Sequence, residues 1–152
     1  MNGIEPQPDN DLFFVCSLIE YIARKTKNHP IVVVNAIGAK KLQHIYNLAD
    51  IYHSENIDKI NDELTYQYNI QEAHFDNIEQ CQYNIPTFWD IGKVYKRLII
   101  DVSKYKDKSY MDTLMEIYNS WISIKLEDLN SSLYFENPDY ILQSYLHGTL
   151  LY

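Results

Sequence analysis

Asp50 and His53 stand three residues apart near the end of a predicted helix, a spacing that places both side chains on one side of it. A carboxylate in that position can orient or charge an imidazole, which is how a general base is built. The same pair is also typical of a helix C-terminus, where the macrodipole stabilises a histidine. We favour the structural interpretation and keep Asp50 and His53 as the candidate catalytic pair of a small enzyme.

Metal binding is disfavoured by the spacing of the residues that bind metals. The densest run is Glu72, His74, Asp76 and Glu79, and it matches no established ligand pattern. The run would need ligands from other elements, so a solvated polar face explains it better. We therefore expect no metal site.

Nucleophilic catalysis and nucleotide binding have no sequence signature either. Cys16 and Cys81 form no C-x-x-C pair, and no G-x-S-x-G elbow is present. A phosphate-binding loop needs clustered glycines, and those of this chain are dispersed. They are Gly3, Gly38, Gly92 and Gly148. We expect no cofactor, and an enzyme is the less favoured class.

A DNA-binding regulator is the first alternative. The helices predicted at residues 30–37 and 39–52 meet at Gly38, and Lys40 and Lys41 begin the second helix, as in a helix-turn-helix. The turn is short, and 21 acidic residues oppose 13 basic ones for a net charge of −8. Nucleic acid is therefore a disfavoured partner.

Aromatic residues crowd the last third of the chain, and an exposed aromatic patch marks self-association or a protein partner. The alternative is that they are ordinary core or scattered surface residues, and that an AT-rich genome accounts for the 14 tyrosines. The candidate interface residues are Tyr105, Tyr110, Trp121, Tyr134, Phe135, Tyr140 and Tyr145.

Helical periodicity runs through both halves, with no convincing period-two alternation, so the sequence predicts an all-α, irregular bundle of about six to eight helices. In the first helix, Ser17, Glu20 and Arg24 form one narrow polar face. Inside a later helix, Gly92 indicates either a close helix contact or chance. The predicted helices are 10–25, 30–37, 39–52, one capped by Ser54, a short one near 72–80, one after Pro86, 110–126 capped by Ser109, and one from Asn137 to Gly148.

Length and hydropathy place these helices in one domain. The 152 residues fit a single core, with a possible internal boundary in the weakly patterned segment 66–85. No apolar run approaches the roughly 20 residues of a membrane span, and the polar leader before Leu12 lacks the features of a secretory signal. We expect a cytoplasmic protein without a membrane partner.

A set of positions in the first half resembles a family. They are Phe14-Val15, Ile19-Glu20, Gly38, Ile45-Tyr46, Asp50, His53-Ser54, Ile57 and Ile60. Through them, residues 11–64 resemble a small uncharacterised bacterial helical domain of unknown function. Some members are encoded beside proteins that resemble ADP-ribosyltransferases, so the resemblance implies an antitoxin-like or other partner-binding role. It implies no activity and does not cover the second half.

Taken together, these observations favour a bacterial cytosolic protein that acts without catalysis, as a protein–protein interaction module with an antitoxin-like or regulatory role. Its partner would be another protein or a second copy in a homodimer. The DNA-binding pair around Gly38 and the enzyme with an Asp50 and His53 site remain the alternatives.

Overall fold

The computed structural model describes residues 6–151, and this part of the chain contains nine α-helices and one 3₁₀ turn joined by loops. No strand occurs in that part, so the predicted all-α class is confirmed. The first five residues of the polar leader, with Gly3, and Tyr152 lie outside the described residues. The helices are α1 Gln7–Thr26, α2 Pro30–Asn47, α3 Ala49–His53, α4 Ile57–Gln67, α5 Asn77–Gln80, α6 Phe88–Lys106, α7 Tyr110–Tyr118, α8 Trp121–Leu126 and α9 Pro138–His147, with the 3₁₀ turn at Leu133–Phe135.

The core is built around α1, which is buried along most of its length and packs mainly against α6. It also contacts α2, α3 and α4, so it lies at the centre of the bundle. The buried apolar side chains come from both sides of segment 66–85 and form one hydrophobic cluster. Within it, the fully buried rings of Tyr95 and Tyr118 stack with their centroids 4.0 Å apart.

Gly92 is where α6 comes closest to α1. A Cβ atom built on Gly92 would lie 2.5 Å from Ser17 Oγ, 2.8 Å from Ser17 Cα and 2.9 Å from Ser17 N. Contacts under 3.0 Å essentially never occur for real Cβ atoms, so only glycine fits at this crossing. The sequence left close contact and chance open, and the structure shows close contact.

The same crossing leaves the Ser17 hydroxyl buried without a hydrogen-bond partner among the described residues. An unpaired buried hydroxyl costs stability, so we expect Ser17→Ala to raise the free energy of unfolding by roughly 1 kcal/mol. Urea denaturation of the two proteins measures this difference. Ser103→Ala is the matched control, because the buried Ser103 hydroxyl donates to Ile100 O at 2.8 Å. That control should be neutral or destabilised, and a loss of stability in Ser17→Ala would contradict the prediction.

Local signals gave several helix ends correctly. Ser109 caps α7 by accepting from Asp112 N at 3.1 Å, and Asn137 caps α9 by accepting from Asp139 N at 2.8 Å. Gly148 ends α9 with a φ of 80°, a left-handed conformation that favours glycine. The three consecutive valines at residues 32–34 are helical, as predicted from their context.

Other predicted boundaries were wrong for local reasons. The cap of α4 is Asn56, which accepts from Asp58 N, and Ser54 instead donates to Ile51 O. The helix predicted at 110–126 is broken, because Asn119 and Ser120 donate to backbone carbonyls of the preceding turn. The helix predicted at 39–52 is also interrupted, at Leu48 between α2 and α3. Of the helix predicted near 72–80, only the four residues of α5 are helical.

Candidate functional site

The structure gives Asp50 and His53 different neighbours. Both are exposed on the short helix α3. The His53 ring stacks on Phe14 with a centroid distance of 5.5 Å, and Asp50 accepts a hydrogen bond from Gln7 Nε2 at 2.9 Å. Each side chain therefore has a packing or bonding role of its own, and no contact joins them into a catalytic pair.

The helix pair around Gly38 is continuous except for Gly38 itself. This residue interrupts α2 with a φ of 84° and a ψ of 159°, and the helix resumes at once. A helix-turn-helix has a turn of about three or four residues, which this junction lacks. Lys40 is exposed and Lys41 is half-buried at the start of the second segment.

The polar run at residues 72–79 serves the local fold. Asp76 caps α5 by accepting from Glu79 N at 3.0 Å and lies 3.9 Å from the Lys27 ammonium. Glu72 and His74 are exposed. Within residues 6–151, no group of three or more histidine, cysteine or acidic side chains is placed to hold a metal ion.

A buried acidic cluster, which sequence reasoning did not single out as a site, lies between α1, α6 and α7. Glu20 is 6% exposed and accepts a hydrogen bond from the Tyr118 hydroxyl at 3.1 Å. Burial raises the pKa of Glu20 to about 8, although the hydrogen bond from Tyr118 and the charge of Arg24 oppose that rise. Burial therefore favours the neutral, protonated form of Glu20.

The space beside Glu20 is too small for a substrate. The cavity that Glu20, Arg24 and Tyr95 line has a volume of about 20 Å³, which holds one water molecule. The Tyr95 hydroxyl hydrogen-bonds Ser123 Oγ at 2.7 Å, so it is already paired. We interpret these buried hydrogen bonds as structural, because one joins α1 to α7 and the other joins α6 to α8.

The seven candidate interface aromatics fall into three groups. Three of them use their hydroxyls inside the fold: Tyr110 donates to Asp9, Tyr140 to Leu151 O and Tyr145 to the Glu116 carboxylate. Trp121 and Tyr134 are half-buried, whereas Tyr105 is 71% exposed and Phe135 is 67% exposed. Of the two exposed rings, Phe135 lines a groove.

That groove, which we call the neutral groove, lies between the loop before α6 and the loop that contains the 3₁₀ turn. It has a volume of about 750 Å³, within the range of ligand pockets. None of the nine residues that line it is charged. They are Gln82, Tyr83, Asn84, Leu129, Asn130, Ser131, Ser132, Tyr134 and Phe135.

The two loops are fixed to each other by the Asn130 side chain. Its Oδ1 accepts from Gln82 N at 2.7 Å, and its Nδ2 donates to Gln80 O at 3.0 Å. The Tyr134 and Phe135 rings pack edge to face, with centroids 4.9 Å apart. Since Leu133 is buried, the turn that presents Phe135 is anchored in the core. The groove walls are therefore held in place before any partner arrives.

A second groove, the charged groove, has a volume of about 400 Å³ and shares Tyr134 and Phe135 with the first. Their rings thus form a wall common to both grooves. On its other side the charged groove is formed by one face of α6. Its lining residues are Pro86, Asp90, Lys93, Val94, Arg97, Tyr134, Phe135, Glu136, Asn137 and Pro138.

Sequence reasoning found Tyr134 and Phe135 but missed the opposite side of the neutral groove. On that side Tyr83 is 67% exposed, in the weakly patterned segment 66–85. A tyrosine in a polar loop just before Pro86 was the signal available there, and no periodicity marks it.

Comparisons with known proteins give no relative from which a function could be transferred. No family model, no curated protein and no solved structure matches the chain. Among the described helices, none has the length and apolar character needed to cross a bilayer.

Proposed function

We propose that this protein acts by binding another protein, and that the partner contacts the surface made by the neutral and charged grooves and the Tyr134 and Phe135 wall between them. We call it the Phe135 surface. For a bacterial cytosolic protein we propose an antitoxin-like or regulatory role. The resemblance of residues 11–64 supports an antitoxin-like or other partner-binding role, although it does not cover the Phe135 surface. The proposal includes no catalytic step and no cofactor.

The observation that carries the proposal is a large exposed ring on a rigid turn beside an open groove. Phe135 and Tyr83 line the same groove and expose equal fractions of their surface. Burying a side chain such as phenylalanine stabilises a complex by roughly 1.5–3 kcal/mol, and aromatic residues are enriched at the centres of interfaces. Because the turn is already anchored, little ordering cost opposes binding.

Binding should therefore depend on these two rings. We expect Phe135→Ser and Tyr83→Ser each to weaken partner binding about 30-fold, the equivalent of roughly 2 kcal/mol for a central interface residue. The measurement is quantitative mass spectrometry of proteins captured by each tagged full-length chain from a lysate of the source organism.

Tyr66→Ser is the matched control, because Tyr66 is 90% exposed but lies at the end of α4 and lines neither groove. It should capture the same protein as the wild type. Sedimentation of the purified proteins identifies the case in which the partner is a second copy. A partner retained equally by all variants would contradict the proposal, as would a wild type that captures nothing and is monomeric.

A further inference from the structure

Lys93 and Arg97 are one turn apart on α6 and are both exposed in the charged groove. Neither forms a hydrogen bond or salt bridge with residues 6–151. By contrast, the acids of the same groove are already engaged: Asp90 accepts from Thr87 N at 2.8 Å, and Glu136 accepts from Ser132 Oγ at 2.9 Å. Neither cation of the charged groove is therefore held in a salt bridge within residues 6–151, although Arg97 also interacts through its charge with Asp101, one turn further along α6.

The neutral groove offers a different chemistry on the other side of the Phe135 wall. Its apolar surface comes from Tyr83, Phe135 and Leu129. The side-chain amides of Gln82 and Asn84 make no hydrogen bond within the described chain, so they can pair with the backbone of an added strand or extended segment. Since no charged residue lines this groove, a charged side chain there would lose hydration without compensation.

We infer that the partner inserts an extended peptide segment that places an apolar side chain in the neutral groove and, within a few residues, an aspartate or glutamate against Lys93 and Arg97. The inference rests on the proposed function and names the chemistry of the partner. Charge complementarity favours this partner, because its carboxylate contacts the two cations Lys93 and Arg97. Its apolar side chain buries the Phe135 ring.

Single-stranded nucleic acid is the competing occupant, since basic and aromatic side chains together also bind bases and phosphates. The charges of the surface argue against it. The neutral groove has no partner for a phosphate, and the net charge of −8 disfavours a polyanion that would place many phosphates along the surface.

The experiment is selection from a random phage-displayed library of peptides of roughly 12 residues, long enough to extend across both grooves, on the immobilised full-length chain. We expect the enriched sequences to share an apolar residue followed or preceded closely by an acid. The same selection on the Lys93→Glu and Arg97→Glu double variant should lose that acid. Lys40→Glu with Lys41→Glu is the control, because it changes the net charge equally at a distant site.

The most enriched peptide is then synthesised, and its affinity is measured by fluorescence anisotropy. Charge reversal at Lys93 and Arg97 should weaken binding at least about tenfold, while the Lys40 and Lys41 variant should stay within about twofold. Replacing the acid of the peptide with glutamine should weaken binding to the wild type but leave binding to the reversed variant unchanged.

Three results would overturn the inference: no enriched peptide that depends on Phe135, enriched peptides without an acid, or tighter binding of a single-stranded oligouridine than of any peptide. Peptides that need Phe135 but no acid would remove the inference and leave the proposed function standing. Loss of Phe135 dependence in the lysate capture would remove the proposed function itself.

Discussion

Replacing Gly92 with valine is expected to lower the free energy of unfolding by about 3 kcal/mol, because the new side chain has no space at the crossing of α1 and α6. The obstruction includes the Cα and N atoms of Ser17 as well as its hydroxyl. Backbone atoms of a central buried helix cannot rotate away. The two helices would have to separate, which would open the most extensive helix contact of the described chain.

Helix propensity favours replacing the glycine and so opposes the effect of the clash. The control therefore has to change a residue of α6 where no clash occurs. Exchanging glycine for another residue inside a helix gains at most about 1 kcal/mol, so the clash dominates. Lys93→Val makes a comparable addition of a β-branched residue on the exposed face of α6 and should change stability by less than about 1 kcal/mol. Thermal and urea unfolding of both variants measure the difference. A Gly92→Val protein as stable as the wild type would show that the helices are not in this close contact.

A compensating change gives the same contact a sharper test. Gly92→Ala should be destabilised less than Gly92→Val, and adding Ser17→Gly should restore part of the loss by removing the Oγ atom. Restoration should be incomplete, because Ser17 Cα and N remain within 3.0 Å of the added Cβ. Full additivity of the two changes would argue that residues 17 and 92 do not touch.

Glu20→Gln is expected to change the pH dependence of stability between pH 4 and pH 9. Burial is the largest cause of the raised pKa of Glu20, and the charge of Glu127 raises it further. The hydrogen bond from Tyr118 and the charge of Arg24 lower it. Glutamine has the shape of the neutral acid and retains an oxygen that accepts from Tyr118, so the variant resembles the form that the fold prefers.

The direction of the change in stability with pH depends on whether Glu20 is protonated in the folded and in the unfolded chain. Below the ordinary pKa of 4.5, Glu20 is protonated in both the folded and the unfolded chain. Between 4.5 and about 8 only the folded chain keeps the proton, so the wild type loses stability as pH rises through this window. The glutamine of the variant does not titrate. The free energy of unfolding of Glu20→Gln, relative to that of the wild type, should therefore grow by about 4 kcal/mol between pH 4 and pH 9.

Urea unfolding at a series of pH values measures this growing difference. Glu72→Gln is the control, because Glu72 is exposed and its replacement should give a difference from the wild type that does not vary with pH. A constant difference between Glu20→Gln and the wild type would contradict the account of a buried neutral acid. So would a difference that shrinks as the pH rises.

The sequence-based predictions were correct for features that depend on residues close together in the sequence. The helical class, the caps at Ser109 and Asn137 and the left-handed Gly148 depend on a few neighbouring residues, and these predictions were correct. Ser17 and Glu20 show the limit of that approach. Their spacing indicates a polar face, but α6 and α7 cover it, and those helices begin more than 65 residues further along the chain.

For the candidate surface, too, one residue was predicted and another was missed. Phe135 was among the predicted interface residues because it belongs to an aromatic-rich stretch, although three of the seven predicted residues are tied into the fold by hydroxyl hydrogen bonds. Tyr83 was missed because hydrogen bonds between two loops, among them those of the Asn130 side chain, bring it beside the 3₁₀ turn. A bridge between residues about 50 positions apart has no signature in a single sequence.

Site-specific photo-crosslinking in cells of the source organism is the most direct test that a partner contacts the Phe135 surface. A photoreactive phenylalanine analogue replaces Phe135 in one protein and Tyr66 in another, and adducts are identified by mass spectrometry. The account predicts that position 135 crosslinks to one defined protein, or to a second copy of this chain, and that position 66 does not. Equal labelling at both positions, or no protein adduct at position 135, would contradict it.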